Sequence, residues 1–220
     1  MTVERNLFLA LSDINQLLHS TLDIDDVLRR LVGGGAAALG CESAGISLRD
    51  VDGWTVRTVH NLPEAIVGSR MTDSQERHAV LAIETGKPVE VADGFNDPRF
   101  NVEHLRRHNI RAVLVVPLMM RGEAFGALFL NYHSGPHAFS DSEIAFAAQL
   151  ATTASIALEH ARLFAEITRA ATDARQRATE LEYFNEMMVG RELRVIELKN
   201  EVDDLCRQLG QPSRYRLTAD

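Results

Sequence analysis

Leu7, Leu11, Ile14 and Leu18 recur at helical spacing and draw one apolar stripe along a first helix ending near Ser20. A one-sided stripe of this kind suits packing on a partner helix. Asp23 stands as an N-cap before Ile24, Val27, Leu28 and Leu31, opening a second helix that runs to about Gly40. Gly33, Gly34 and Gly35 lie inside it, where each glycine costs about 1 kcal/mol against alanine. The run marks either tight apposition to a neighbour or a hinge. From Ser43 the period changes to two: SAGISLRD and WTVRTVHN flank Val51-Asp52-Gly53 and predict a β-hairpin. A helix is expected over 74–84, stopped by Gly86-Lys87-Pro88. PVEVAD follows as a short strand, and Asp97-Pro98 opens a second short helical segment reaching about His108. RAVLVVPLMM and EAFGALFLNY form another hairpin about Arg121-Gly122, so the sheet is expected to be mainly antiparallel.

Ser140-Asp141-Ser142-Glu143 then places a cap and acids before a long apolar run, as a helix N-terminus requires. From Leu163 through Ile167, Ala170, Ala174, Arg177 and Leu181 to Leu209, largely apolar core-type positions alternate at intervals of four and three, with only Gly190 as a potential breaker. A helix of that length is a rod of roughly 70 Å, more than one small domain can cover. The stripe calls for a second chain, as plain dimerisation or as a signalling lever. Arg177 and Arg191 at core-type positions weaken the seam and suit register-setting or rearrangement.

Length and composition narrow the class. At 220 residues, 45% hydrophobic and 25% charged, the chain has room for one folded domain and an extension. No targeting or membrane-spanning segment is visible, which gives a cytoplasmic expectation. Cys41 and Cys206 fall in different elements and offer neither a disulfide framework nor a thiolate cage. The net charge of −8 argues against nucleic acid as a partner. Arg106, Arg107 and Arg111 cluster, but as a solvated face.

TGKPVEVADGFNDPRF, then RAVLVVPLMMRGEAFGALFL, then PHAFSDSEIAFAAQLATTASIALEHARLF together resemble the GAF domain family over about residues 6–166. The resemblance implies an α+β fold: a GAF-like central antiparallel sheet between helical layers, here with a long C-terminal coiled-coil helix. It divides the chain into a dimer-packing helix (1–22), a GAF core (23–162), a coiled-coil helix (163–210) and a flexible tail (211–220). It also implies a non-enzymatic, small-molecule-sensing signal-transduction module that works as a parallel homodimer through its terminal helices. EYFNEMMVGRELRVIELKNEVDDLC looks like the linker helix that joins sensors to kinase or PAS-type output domains in two-component proteins. The rival expectations are a ligand-free dimerisation scaffold and a haem-based gas or redox sensor.

By the same resemblance the ligand pocket lies under a lid spanning Asp93 to His108, with Asp93, Asp97, Arg99, Phe100, His104 and His108 as candidate ligand-binding residues. Asp97 and Arg99 can instead pair with each other, and Phe100 can serve as a wall. His104 and His108 lie one helical turn apart and can face one ligand, or both can be exposed on a polar helix. Haem would take His108 as axial ligand, with His104 second. A covalent bilin is not expected, because Phe100 and Asn101 occupy the Cys-His positions of bilin-binding members. The cyclic-nucleotide signature is missing, and a redox enzyme on this fold needs more cysteines than Cys41. His133 and His137 flank Gly135-Pro136, lack a third metal ligand, and are expected in solvent. The identity of the ligand is not legible.

Overall fold

The computed structural model describes residues 24–215, so the expected first helix and the Asp23 cap lie outside the described residues. The chain forms two compact units, one ending at Leu163 and the other beginning at Phe164.

In the first unit, α1 (Ile24–Leu39) carries Asp25 and Asp26 in its first turn, where the helix dipole favours acids. β1 (Ser43–Asp50) and β2 (Gly53–His60) form the expected hairpin, and a short edge strand, β3 (Arg70–Met71), pairs with β2. β3 was not anticipated, because two residues are too few to show a period. α2 (Arg77–Thr85) stops at Gly86, whose φ of 63° is the left-handed C-cap that glycine adopts at least cost. β4 (Val89–Val91) and α3 (Val102–Arg107) follow; Asn101 caps α3 by accepting from the His104 amide. β5 (Ala112–Met120) and β6 (Glu123–Tyr132) turn at Arg121-Gly122, both at positive φ, as a two-residue hairpin demands. α4 (Asp141–Gln208) starts in a capping box: the Ser140 amide donates to Glu143 Oε2 at 2.8 Å, and the Glu143 amide to Ser140 Oγ at 3.4 Å.

The six strands run antiparallel in the order β3-β2-β1-β6-β5-β4. Strand alternation gives the sheet two apolar faces. On one, Ala44, Ile46, Leu114, Leu128 and Leu130 join Leu28, Leu31 and Val32 of α1 and Phe146, Leu150 and Ala154 of α4 in one core. On the other, Val113, Val115, Ala127 and Phe129 pack with Ala79, Val80 and Ala82 of α2 and with Phe100 and Leu105 around α3. The glycine run belongs to close packing at Gly35, where a Cβ would run into the Leu150 side chain.

In the second unit, the apolar stripe of α4 is open: Ile167, Leu181 and Leu198 are 67%, 63% and 45% exposed. Of the expected 211–220 tail, residues 211–215 are described, and their backbone amides bond back to the helix end. Gln211 donates its amide to the Cys206 carbonyl at 2.8 Å, and Asp203 Oδ1 accepts the amides of Arg214 (2.7 Å) and Tyr215 (3.1 Å). Asp203 and Cys206 are buried there. Among the described residues, no helix is long and apolar enough to cross a membrane.

Candidate ligand pocket

The pocket opens where the hairpin β1–β2 breaks its register. Ile46 pairs with Thr58 and Ser47 with Val56, leaving Arg57 as the extra residue of a β-bulge. Without a bulge, Val56 and Val59, three residues apart, would point to opposite faces of the sheet. With it, both line a cavity of about 110 Å³ whose floor is Gly45 and Ser47 of β1 and Phe129 and Asn131 of β6. Leu62, Ile66 and Met71, from the connection after β2 and from β3, close one side; Glu76, His78, His104 and His108 close the other.

Glu76 sits at the N-terminal boundary of α2 with its side chain not used as a cap. It lies instead between two imidazoles, with Oε2 3.3 Å from His78 Nε2 and Oε1 3.7 Å from His104 Nε2. Burial opposes ionisation of this carboxyl. Contact with His104, and the attraction of the surrounding histidines in their protonated forms, outweigh burial and hold its pKa below the ordinary value. His78 is 2% exposed, with its ring edge-on to Phe100 (6.0 Å) and Phe129 (5.7 Å). Burial lowers its pKa, partly offset by Glu76 and reinforced by His104, which favours the neutral ring. The rings of His104 and His108 lie 4.6 Å apart, and burial with the His104 charge lowers the pKa of His108. Asn101 Nδ2 donates to the Ser74 carbonyl at 3.0 Å and fastens α3 to the loop before α2.

Of the six residues singled out in the sequence, only His104 and His108 line this cavity. His104 is buried against Glu76 and His108 is exposed, so the pair is not two solvent histidines on a polar helix. Asp93 builds a turn, accepting the Phe95 amide and Asn96 Nδ2 and pairing with Arg111 at 3.3 Å. Asp97 holds Arg99 through Nε at 2.9 Å and Nη2 at 2.6 Å, and that guanidinium lies 5.0 Å from the centre of the Phe100 ring. Phe100 is a buried wall behind His78. The lid is therefore α3 alone; the segment before it is held down by its own turn chemistry. Arg106 and Arg111 lie on the Phe95 ring instead of forming a free basic face.

His133 and His137 are likewise not free in solvent. His133 bridges Ser43 Oγ (2.8 Å) and the Asn109 carbonyl (2.9 Å), while His137 stacks on Tyr132 and bonds Glu143 at 2.8 Å. Among the described residues, no group of three or more His, Cys, Asp or Glu is arranged to hold a metal. A cavity of about 110 Å³ is far below the roughly 300–1,000 Å³ that takes a drug-sized ligand. A porphyrin is larger still, so haem on His108 does not fit this cavity. Glu76, His78 and Asn131 were missed in the sequence. The available signal was an asparagine at an inward position of an otherwise apolar strand, ALFLNY, and a histidine beginning the apolar side of α2.

Residues 23–158 match the sequence profile of the GAF domain. A GAF domain of a phosphoenolpyruvate-protein phosphotransferase from Coxiella burnetii superposes with a TM-score of 0.66 at 22% identity, covering 74% of this chain and 98% of that one. The PixJ GAF domain of Thermosynechococcus elongatus, in its blue-light-absorbing form, gives a TM-score of 0.56 at 27% identity, over 68% and 92% of the two chains. A dual 3′,5′-cyclic-AMP and -GMP phosphodiesterase 11A from Takifugu rubripes is 27% identical over 125 residues, which are 48% of this chain but only 14% of that relative's length.

Proposed function

The chain belongs to the GAF domain family, a family of sensory and signalling modules, and from that premise we propose that it is a homodimeric small-molecule sensor without catalytic activity of its own. One observation carries this. The strands that floor the cavity with Gly45, Ser47, Phe129 and Asn131 turn their alternate residues, Ala44, Ile46, Leu128 and Leu130, into the core shared with α1 and α4. A ligand that shifts β1 against β6 changes the packing of α4, and α4 continues into the exposed apolar stripe. Coupling needs only a difference in ligand affinity between two helix arrangements. The stripe would be covered by the same stripe of a second copy in a parallel pair, passing the bias to a kinase or PAS-type output.

Cys41, the one cysteine near the sheet among the described residues, speaks against thiol redox catalysis: it is buried, and burial pushes its thiol up to about 12, far from the reactive thiolate range. Both cysteines are free, as befits the cytosol. The cyclic nucleotides named for the phosphodiesterase relative are too large for this cavity. Thermal-shift screening of the purified chain against a metabolite library, with native mass spectrometry for retained ligand, tests the sensor. A hit that also alters helix-pair geometry, read by spin labels on the stripe, is the expected result. An empty spectrum with no shift would leave a ligand-free dimerisation scaffold.

A further inference from the structure

The direction of the hydrogen bonds behind the pocket fixes what the pocket offers. His133 Nδ1 lies 2.9 Å from the Asn109 carbonyl, which only accepts, so Nδ1 carries the proton. In this tautomer Nε2 is a lone-pair acceptor and the Ser43 hydroxyl, 2.8 Å away, donates to it. Ser43 Oγ is then left to accept from Asn131 Nδ2 at 3.1 Å. The relay orients the amide, and it leaves Asn131 Oδ1 as an acceptor, buried and without a hydrogen-bond partner among the described residues.

His78 reaches the same condition by a different route. An ionised Glu76 carboxylate 3.3 Å from Nε2 favours the tautomer protonated there. Nδ1 is then a lone-pair acceptor, also buried and also without a partner among the described residues. Both residues line the one cavity, together with Glu76 itself; Ser47, His104 and His108 complete its polar lining, and the remaining walls are largely apolar. Buried acceptors left unmatched are costly, and the half-buried Glu76 carboxylate adds negative charge beside them. The volume of about 110 Å³ lies below the roughly 150 Å³ that holds a benzene ring, which limits the enclosed part of an occupant to no more than about six non-hydrogen atoms.

We infer that the cavity selects a small organic cation, an amidinium or alkylammonium, whose N–H groups donate to Asn131 Oδ1, His78 Nδ1 and Glu76 while its apolar part meets Val56, Val59 and Ile66. The inference rests on the sensor function proposed above and names the chemical class of its ligand.

Isobutyramidinium, isobutyramide and isobutyrate share one skeleton and differ only in charge and donor count. Titrated into the ¹⁵N-labelled full chain and followed through the Asn131 side-chain amide, the amidinium binds about ten-fold tighter than the amide, the difference expected of one charge-assisted hydrogen bond. Isobutyrate is the weakest of the three. Glu76→Gln, which keeps shape and removes charge, abolishes the advantage of the amidinium over the amide. Asn131→Leu, followed through the β1 and β6 backbone amides, weakens both. Circular dichroism shows whether the variants fold; if either does not, the order of the three ligands on the wild-type chain decides alone. Equal affinity for amidinium and amide, or preference for isobutyrate, overturns the inference. So does silence toward all three when another metabolite shifts the protein, a result that leaves the sensor standing. Silence toward every metabolite class sinks the sensor and the inference together.

Discussion

His78 is enclosed by two aromatic rings and faces a carboxylate, with His104 and His108 completing the titratable groups around it. Its folded pKa is depressed by burial from an ordinary value of 6.5. Above pH 6.5 the ring is neutral folded or unfolded, and it contributes nothing to pH dependence. As pH falls below 6.5, the unfolded chain takes up a proton that the folded chain refuses, and stability drops by up to about 1.4 kcal/mol per pH unit until the folded pKa is reached. Urea titrations between pH 7.5 and 5 are expected to show this loss and to show it flattened in His78→Gln. Such a role was illegible in the sequence because Glu76 and His78 meet His104 and His108 only in three dimensions. Within α3 the i, i+4 pair of histidines was visible as a pair. Asp93, Asp97 and Arg99 attracted attention because acids and arginines bind ligands, yet the same short side chains also build turns, and local hydrogen bonds won. The haem alternative makes its own check: titration of haem into the purified chain is expected to give no Soret band, with or without His108→Ala.

Elements were legible wherever a period ran long enough. Both hairpins, the sheet's antiparallel sense and the start of α4 follow from alternation and caps, whereas β3 and the bulge at Arg57 depend on pairing with β1 and β2 and leave no local signal. The glycine run was ambiguous because a glycine chosen for close approach and one chosen for flexibility look alike until the neighbour is known. At Gly35 the neighbour is Leu150 of α4. Gly35→Val is therefore expected to cost about 1–3 kcal/mol by overpacking, read as a lower urea midpoint. Gly190 is the opposite case, a helical glycine with nothing within 4 Å of an added Cβ. Gly190→Ala is expected to gain about 1 kcal/mol through helix propensity alone, seen as a higher melting temperature of the helical signal.

For the whole molecule, the decisive quantity is the oligomeric state. Helices in proteins owe most of their stability in water to packing of an apolar face, and from Phe164 onward that face is uncovered along α4, with Leu181, Phe184 and Leu198 at 63%, 57% and 45% exposure. A second copy in parallel register matches each of these residues with itself, and sedimentation equilibrium is expected to return the mass of two chains. Leu181→Asp combined with Leu198→Asp buries two charges per chain in that seam and should yield single chains with a weaker helical circular-dichroism signal. Arg177 and Arg191 fall at core-type positions of the same stripe, where a charged pair of like sign opposes association. Arg177→Leu with Arg191→Leu is accordingly expected to tighten the pair and raise its melting temperature. If those arginines serve to let the helices rearrange, the tightened variant will bind the ligand yet fail to change helix spacing in response, a split between occupancy and output that spin-label distances along the stripe would read directly.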